Sequence, residues 1–264
     1  MIKLGCCTAI PTDEDSRKRV LAIRDAGFDY VEFNFQNSAK LSADERAEAI
    51  QFLNEAGISC KAMNCFIPGD IPLVGPDADL GKARRFLDAA FPAAKEFGVE
   101  SIVFGSGGAR RTPPGFPAEM VRIQLIAFLR LVETYCEDYD MKIAIEPLSY
   151  VECNTLNTMM DGYWLAMDTN RPHIRLLADY YHVQRNGEDL LDLVSVGRIL
   201  QHVHIANCID RGFPSEETRE EHAFFFEMLK AAKYDGTVSI EGGSSCFEKD
   251  IVEAGKILRE IRGE

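Results

Sequence analysis

The chain contains 264 residues, of which 46% are hydrophobic, and this length and composition are typical of one enzyme-sized globular domain. Aspartate and glutamate outnumber lysine and arginine by 42 to 29, which gives a formal net charge of −13. Such a charge disfavours broad contact with nucleic-acid phosphates or anionic lipids, so no nucleic acid and no membrane is expected as a partner. A small-molecule partner is favoured instead.

The first residues, MIKLGCCTAIPTDEDS, contain an apolar stretch that is too short for a secretion signal or a membrane span, and we expect a cytoplasmic protein. The eight cysteines form no C-x-x-C pair and stand mostly in apolar segments. Reduced, buried thiols are therefore predicted rather than disulfides.

Short apolar strand candidates alternate with longer amphipathic helix candidates along the whole chain. The first four strand segments are IKLGCCT, YVEFNF, SCKAMNCFI and SIVFGSG, and the helices predicted after them span 15–26, 42–56, 80–97 and 117–139. The last four are KIAIEPL, IRLLADYYHV, LQHVHIAN and GTVSIEGG, with helices over 156–170, near Leu190, over 215–233 and over 248–261. The chain thus contains eight strand-helix units.

Glycine follows three of the predicted helices just before the next strand, in DAGFDYVEF, EAGISCKAM and EFGVESIVF, as expected where a helix ends in the left-handed conformation. Eight units predict an α/β fold of the (β/α)8 TIM barrel type, with residues 1–264 as a single domain. An open doubly wound sheet usually has fewer strands and a glycine-rich first turn, and GCCTAIPTD does not offer such a turn.

One metal-ligand type of residue stands near the end of each of the last four strand segments: Glu146, Asp179, His204 and Glu241. The intervals of 33, 25 and 37 residues are close to one strand-helix unit, and the ends of barrel strands converge on one cavity. Three carboxylates and one imidazole form an oxygen-rich site. The set therefore favours Mn²⁺, Mg²⁺ or Co²⁺, with Zn²⁺ less favoured.

The segments IEPL, LADYYH, HVHIAN and SIEGG carry these four residues in a characteristic order and spacing. In these segments the chain resembles the xylose isomerase-like TIM barrel family of sugar isomerases and epimerases. Its members include D-tagatose and D-psicose 3-epimerases, inosose isomerases and hydroxypyruvate isomerases. The resemblance implies a divalent metal, most often Mn²⁺, held by the four residues, and a carbohydrate substrate. It also allows a homo-oligomer, either a dimer or a tetramer.

The resemblance to the ketose 3-epimerase branch implies further substrate contacts. Glu152, six residues after the first ligand, and His182, three residues after the second, occupy the positions of that branch. Arg211 is the nearest candidate for a substrate-binding arginine but lies one residue beyond the expected place. His202 precedes His204 by two residues on the same strand and is predicted to be a hydrogen-bonded core residue.

The chemistry of an α-hydroxy-carbonyl substrate explains why two of the ligands are glutamates. A metal bound to both oxygens would acidify the adjacent C–H, and Glu146 and Glu241 would flank the substrate. One glutamate would remove the proton, and the other would return it to the opposite face of a cis-enediolate. Return to the neighbouring carbon would give isomerisation instead, so a metal-dependent epimerase or isomerase is predicted.

Two other activities stay open. A lyase or dehydratase that acts on a keto-cyclitol or 3-keto-glycoside would begin with the same enolisation, and the GSGGARR loop and the displaced Arg211 favour it. An endonuclease IV-like phosphodiesterase is disfavoured because it would need additional histidine ligands, and the acidic charge opposes DNA binding.

Four loop or strand-end features have both a functional and a structural interpretation. Arg110 or Arg111 could bind an anion, although a flexible loop with one salt bridge is the plainer interpretation. Phe66 and Ile67 could line the substrate cavity. Glu32, like Cys7, is at least as well explained by packing or a local ion pair.

Overall fold

The computed structural model describes residues 1–264, and its eight strands form a closed parallel barrel in the order β1 to β8. This arrangement confirms the predicted (β/α)8 TIM barrel. The strands are β1 Lys3–Cys7, β2 Tyr30–Asn34, β3 Ser59–Asn64, β4 Ser101–Phe104, β5 Lys142–Ile145, β6 Ile174–Asp179, β7 Leu200–Ile205 and β8 Thr237–Ile240.

The helices surround the barrel and follow the predicted segments within a few residues. They are α1 Glu14–Asp25, α2 Phe35–Ser38, α3 Ala43–Ala56, α4 Leu80–Glu96, α5 Ala118–Tyr139, α6 Met159–Thr169, α7 Tyr180–Asn186, α8 Asp192–Val196, α9 Arg219–Ala231 and α10 Phe247–Arg262. Short 3₁₀ turns at Gly197–Ile199 and Glu216–Thr218 precede β7 and α9. None of these helices is long and apolar enough to cross a membrane.

Three glycines end helices in the way that the sequence predicts. Gly27, Gly57 and Gly98 have φ angles of 86°, 71° and 76°, and each stands between a helix and the next strand. The left-handed conformation costs glycine little, so each helix can stop there and the chain can turn back toward the barrel.

The sixth unit differs from its prediction, because the residues after Asp179 are helical rather than extended. The Asp179 Oδ1 atom accepts a 2.7 Å hydrogen bond from the Tyr181 N–H and so caps α7 at its first residue. The single helix expected near Leu190 is replaced by α7 and α8. His182 therefore lies in the first turn of a helix at the barrel mouth.

The interior of the barrel is polar between β2, β7 and β8. Tyr30 on β2 reaches past β1 to Ser239 on β8, and their hydroxyl oxygens lie 2.8 Å apart. Gly5 on β1 makes this crossing feasible, since a Cβ atom there would lie 2.2 Å from the Tyr30 ring. Glu32, two residues after Tyr30, faces the same interior.

Aromatic side chains fill the space between the barrel and helices α4 and α5. Phe66 is fully buried and packs in edge-to-face arrangements with Phe35, Phe91 and Phe104, at centroid separations of 5.2 to 6.1 Å. Truncation of such a side chain typically costs about 3–5 kcal/mol. Phe66 therefore belongs to the core, and its predicted place in the wall of the substrate cavity is wrong.

No cysteine forms a disulfide, as predicted, but burial is incomplete. Cys65 and Cys246 are exposed, which differs from the expectation, and Cys7 and Cys208 are half-buried. The four buried thiols are Cys6, Cys60, Cys136 and Cys153.

Candidate active site at the mouth of the barrel

Four predicted ligand residues meet at the C-terminal mouth of the barrel. Glu146 directly follows β5, Asp179 ends β6, His204 is the penultimate residue of β7, and Glu241 directly follows β8. One potential ligand atom from each residue lies within 4.8 Å of the other three. Residues separated by up to 95 positions in the chain thus come close enough to contact a single ion.

His204 directs one ring nitrogen to this cluster and the other away from it. Its Nδ1 atom lies 3.3 Å from Glu146 Oε1 and 3.6 Å from Glu241 Oε2. Its Nε2 atom lies 3.0 Å from Glu32 Oε1, deeper in the barrel. The imidazole is fully buried, so these carboxylates are its polar environment.

The four candidate ligands are suited to a hard divalent cation. Asp179 uses Oδ1 to cap α7, whereas its buried Oδ2 atom has no hydrogen-bond partner. A buried carboxylate oxygen without a partner is costly unless a cation or a donor approaches it. Three carboxylates and one imidazole are also the kind of ligands that Mn²⁺ or Mg²⁺ accepts.

His182 contributes a second unpartnered polar atom beside Asp179. The Ser149 N–H donates a 3.1 Å hydrogen bond to His182 Nδ1, so a neutral His182 carries its ring proton on Nε2. That Nε2 atom is buried, has no hydrogen-bond partner and lies 3.7 Å from Asp179 Oδ2. A hydrogen-bond donor is therefore available to a ligand at this point.

Arg211 joins the same group of residues despite its one-residue displacement in the sequence. Its Nη1 atom lies 2.9 Å from Glu152 Oε1, and its Nη2 atom lies 2.7 Å from Glu241 Oε2. The guanidinium carbon also stands 4.8 Å above the centre of the Tyr181 ring. Arg211 has a φ of 55°, so a left-handed backbone directs it into the site.

The protein environment separates the pKa values of the two glutamates. Burial and the nearby Glu241 carboxylate raise the pKa of Glu146 above its ordinary value. Burial would also raise the pKa of Glu241, but His204 and Arg211 outweigh it and lower this pKa to about 2. Burial and Glu241 raise the pKa of Asp179 to about 6. Opposite shifts in two neighbouring carboxylates are typical of acid-base sites.

Glu32 connects the cluster of four candidate ligands to the barrel interior. Its two carboxylate oxygens lie 3.0 Å from His204 Nε2 and 2.8 Å from His202 Nε2. Burial would raise the pKa of Glu32, but the two imidazoles outweigh it and hold the carboxyl ionised. His202 also lies 2.7 Å from Thr237 Oγ1, and it has the buried, hydrogen-bonded place predicted for it.

Two residues of the site make contacts that were not predicted from the sequence. Asn64, at the end of β3, donates a 3.0 Å hydrogen bond to Glu241 Oε1, and its place at a strand end could have indicated this. Arg110 is fully buried and donates to the Phe104 carbonyl at 3.0 Å and the Glu146 carbonyl at 2.6 Å. The idea that Arg110 binds an anion is therefore wrong, because its donors face two strand-end carbonyls.

A cleft of about 410 Å³ opens above the cluster. The residues that line it include Gln36, Ile67, Leu148, the glycine-rich turn 105–108, Glu152 and Arg211. Arg111 lies beside the cleft and donates to the backbone carbonyl of Glu152. The cleft is large enough for a small polar ligand and reaches both Glu146 and Glu241.

The remaining histidines lie outside the cluster. His173 pairs with Glu133 at 2.9 Å, beyond the N-terminal end of β6. His222 on α9 is fully buried, and its Nε2 atom lies 3.2 Å from Asn207 Oδ1. Both therefore have structural positions.

Comparison with curated proteins finds sugar epimerases. The chain is 25% identical to 3-dehydro-D-guloside 4-epimerase from Escherichia coli K12, over 91% of this chain and 92% of that protein. It is 30% identical to a probable ketose 3-epimerase from Synechocystis, over 74% of this chain and 68% of that protein.

Solved structures share the fold. The D-allulose 3-epimerase from Methylomonas superposes with a TM-score of 0.81, at 19% identity and 98% coverage of both chains. A model of the xylose isomerase-like TIM barrel matches residues 20–261 of the present sequence. The chain therefore belongs to the xylose isomerase-like TIM barrel family.

Proposed function

We propose that this protein is a divalent-metal-dependent sugar epimerase or isomerase that acts on a ketose or a related keto-sugar or keto-cyclitol. The observation that carries the proposal is the convergence of two glutamates, one aspartate and one histidine below an open cleft. The names of the relatives, which are sugar epimerases, support the same reaction class.

Glu146, Asp179, His204 and Glu241 would hold the metal. The oxygen-rich ligand set favours Mn²⁺, Mg²⁺ or Co²⁺ over Zn²⁺, and the family resemblance favours Mn²⁺ among them. When bound, such an ion supplies Lewis-acid stabilisation of the negative charge that develops on the carbonyl and hydroxyl oxygens of the substrate. The unpartnered Asp179 Oδ2 atom supports this assignment.

Glu146 and Glu241 are the proposed acid-base pair. They follow β5 and β8, which are three strands apart in a ring of eight, so their carboxylates approach the cleft from different sides. One glutamate would take the proton from the carbon beside the carbonyl, and the other would deliver a proton to the opposite face of the cis-enediolate. This transfer inverts the carbon, whereas delivery to the neighbouring carbon isomerises the sugar.

His182, Glu152 and Arg211 are the proposed substrate contacts. The unpartnered His182 Nε2–H can donate to a sugar oxygen, while the half-exposed Glu152 carboxylate can accept from a hydroxyl. Arg211 bridges Glu152 and Glu241, so it both orients the proposed base and offers donors to the substrate. These contacts would determine which carbon stands between the two glutamates.

The lyase alternative shares the first proton transfer and differs only in whether a leaving group departs from the next carbon. The phosphodiesterase alternative is less favoured because the cluster contains one imidazole. His202 faces Glu32, and His182 accepts from the Ser149 backbone.

The test is incubation of the Mn²⁺-loaded protein in D₂O with ketoses, inososes and keto-glucosides, followed by metal removal and analysis by NMR and mass spectrometry. Deuterium beside the carbonyl in an inverted or isomerised product would support the proposal. Elimination products would favour the lyase, and no exchange with any substrate would contradict the acid-base assignment.

A further inference from the structure

Glu32 is a fully buried carboxylate that contacts two imidazoles from one strand. Its Oε1 atom lies 3.0 Å from His204 Nε2, and its Oε2 atom lies 2.8 Å from His202 Nε2. β2, which carries Glu32, is separated from β7 by two strands, so these contacts cross the interior of the barrel. All three side chains are fully buried, so bulk solvent does not reach these contacts.

The chemistry of the three groups determines where the ring protons are. An ionised carboxylate can only accept hydrogen bonds, so each imidazole must donate to Glu32 from Nε2. The Nδ1 atom of His204 is then the nitrogen that faces Glu146 and Glu241, 3.3 and 3.6 Å away. With Nε2 protonated, Nδ1 can present its lone pair to a cation in the cluster.

We propose that Glu32 is a positioning residue of the metal site, which holds His204 in the Nε2–H tautomer and fixes the direction of Nδ1. The inference rests on the metal dependence in the proposed function and assigns a role to a residue that contacts no substrate. A negative carboxylate behind an imidazole also increases the basicity of the opposite nitrogen and strengthens its bond to a metal.

His202 also helps to hold the Glu32 carboxylate in place. Its Nε2 atom contacts Oε2 of Glu32, and its Nδ1 atom lies 2.7 Å from Thr237 Oγ1, which holds the ring in turn. With both oxygens engaged, the Glu32 carboxylate cannot rotate without losing a hydrogen bond. The orientation of His204 is thereby determined by β2, β7 and β8 together.

Glu133 and His173 provide a matched control. They form another pair between a buried carboxylate and an imidazole, with 2.9 Å between Oε1 and Nδ1, on α5 and immediately before β6. The pair lies away from the cluster at the mouth and forms, with Glu137, a separate group of possible ligand atoms, so Glu133→Gln can change the number of bound Mn²⁺ ions without changing the affinity of the mouth site. Removing the charge of Glu133 therefore reports the general effect of losing a buried carboxylate-imidazole pair.

The experiment compares Mn²⁺ affinity in the full-length wild type, Glu32→Gln and Glu133→Gln, measured by electron paramagnetic resonance of free Mn²⁺. We expect Glu32→Gln to bind roughly 10- to 100-fold more weakly and Glu133→Gln to bind within about threefold of wild type. Equal affinity in the two variants would overturn the inference. Failure of the wild type to bind any divalent cation would instead refute the metal dependence in the proposed function.

A second measurement uses ¹⁵N-labelled histidine with diamagnetic Mg²⁺, and its first part, on the wild type, does not depend on the folding of a variant. Long-range ¹H–¹⁵N spectra should show protonated Nε2 on both His202 and His204. Glutamine offers one acceptor and one donor, so Glu32→Gln should change the protonated nitrogen of at least one ring. A wild-type His204 with an unprotonated Nε2 would overturn the inference.

Discussion

The Arg211 guanidinium joins Glu241 to Glu152 across the mouth of the barrel, with Nη2 2.7 Å from Glu241 Oε2 and Nη1 2.9 Å from Glu152 Oε1. One residue thus contacts both a proposed base and a proposed substrate-binding carboxylate. Burial raises the pKa of the Glu241 carboxyl, and Arg211 helps His204, which has the larger effect, to lower it.

Arg211→Met should therefore lower kcat/KM by roughly 10- to 100-fold, because it removes donors to the substrate and the charge beside Glu241. The pKa of Glu241 should rise when this positive charge is lost, so the acid limb of the kcat/KM profile should move to higher pH. Arg211→Lys is the control that keeps the charge, and its acid limb should remain closer to that of wild type. Identical profiles in all three proteins would contradict the role given to Arg211.

The proposed acid-base pair makes a separate prediction. Glu146→Gln and Glu241→Gln keep the side-chain volume but remove the basic carboxylate, and each should reduce deuterium exchange from D₂O by about 10²- to 10⁴-fold. Circular dichroism should show an unchanged fold. Glu137→Gln, an exposed change on α5, is the control and should retain exchange. A similar loss in all three variants would refute the assignment.

The raised pKa of Asp179 predicts how metal affinity depends on pH. With a pKa of about 6, set mainly by burial and Glu241, the carboxyl holds a proton in mildly acidic solution that a metal must displace. This proton alone should weaken Mn²⁺ binding roughly fourfold between about pH 7.5 and 5.5. Calorimetry at several pH values, with buffers of different ionisation enthalpy, would measure both the affinity and the proton release. Constant affinity over this range would contradict the shift.

The same shift has the opposite effect on the stability of the metal-free protein. The folded state binds the Asp179 proton more tightly than the unfolded chain does, so this contribution to stability falls as pH rises from 3.8 through about 6. Asp179→Asn keeps the Oδ1 cap of α7 and removes the charge. At neutral pH it should raise the Tm of the metal-free protein by roughly 2–4 °C and abolish stabilisation by Mn²⁺. A lowered Tm would contradict this explanation.

The substitution Gly105→Ala tests how closely the backbone after β4 approaches the site. A Cβ atom there would lie 2.2 Å from Glu146 Oε2, so Gly105→Ala should displace that carboxylate. We expect at least about a tenfold loss of activity from misplacement of the acid-base group, with little loss of stability because the side-chain end can move. At Gly243 a Cβ atom would meet nothing within 4 Å, so Gly243→Ala is the control and should remain active.

The sequence alone was sufficient to predict the barrel fold, because periodic burial and helix termination are local properties. Gly27, Gly57 and Gly98 end helices where the pattern placed them, and all eight strands were found. Errors arose where a side chain changed the local preference. Asp179 converts the apolar stretch after it from strand to helix by capping α7, an effect that hydrophobic periodicity does not show.

The proximity of Glu146, Asp179, His204 and Glu241 was also predictable from the sequence, since the barrel brings the ends of parallel strands to one face. The tertiary structure alone decided which atoms meet there. Glu32 on β2 reaches β7, Arg110 faces backbone carbonyls rather than an anion, and Phe66 joins the core. Such contacts depend on side-chain direction and join strands that are distant in sequence. Because hydrogen bonds act only over a few ångströms, the spacing of residues along the chain cannot specify these contacts.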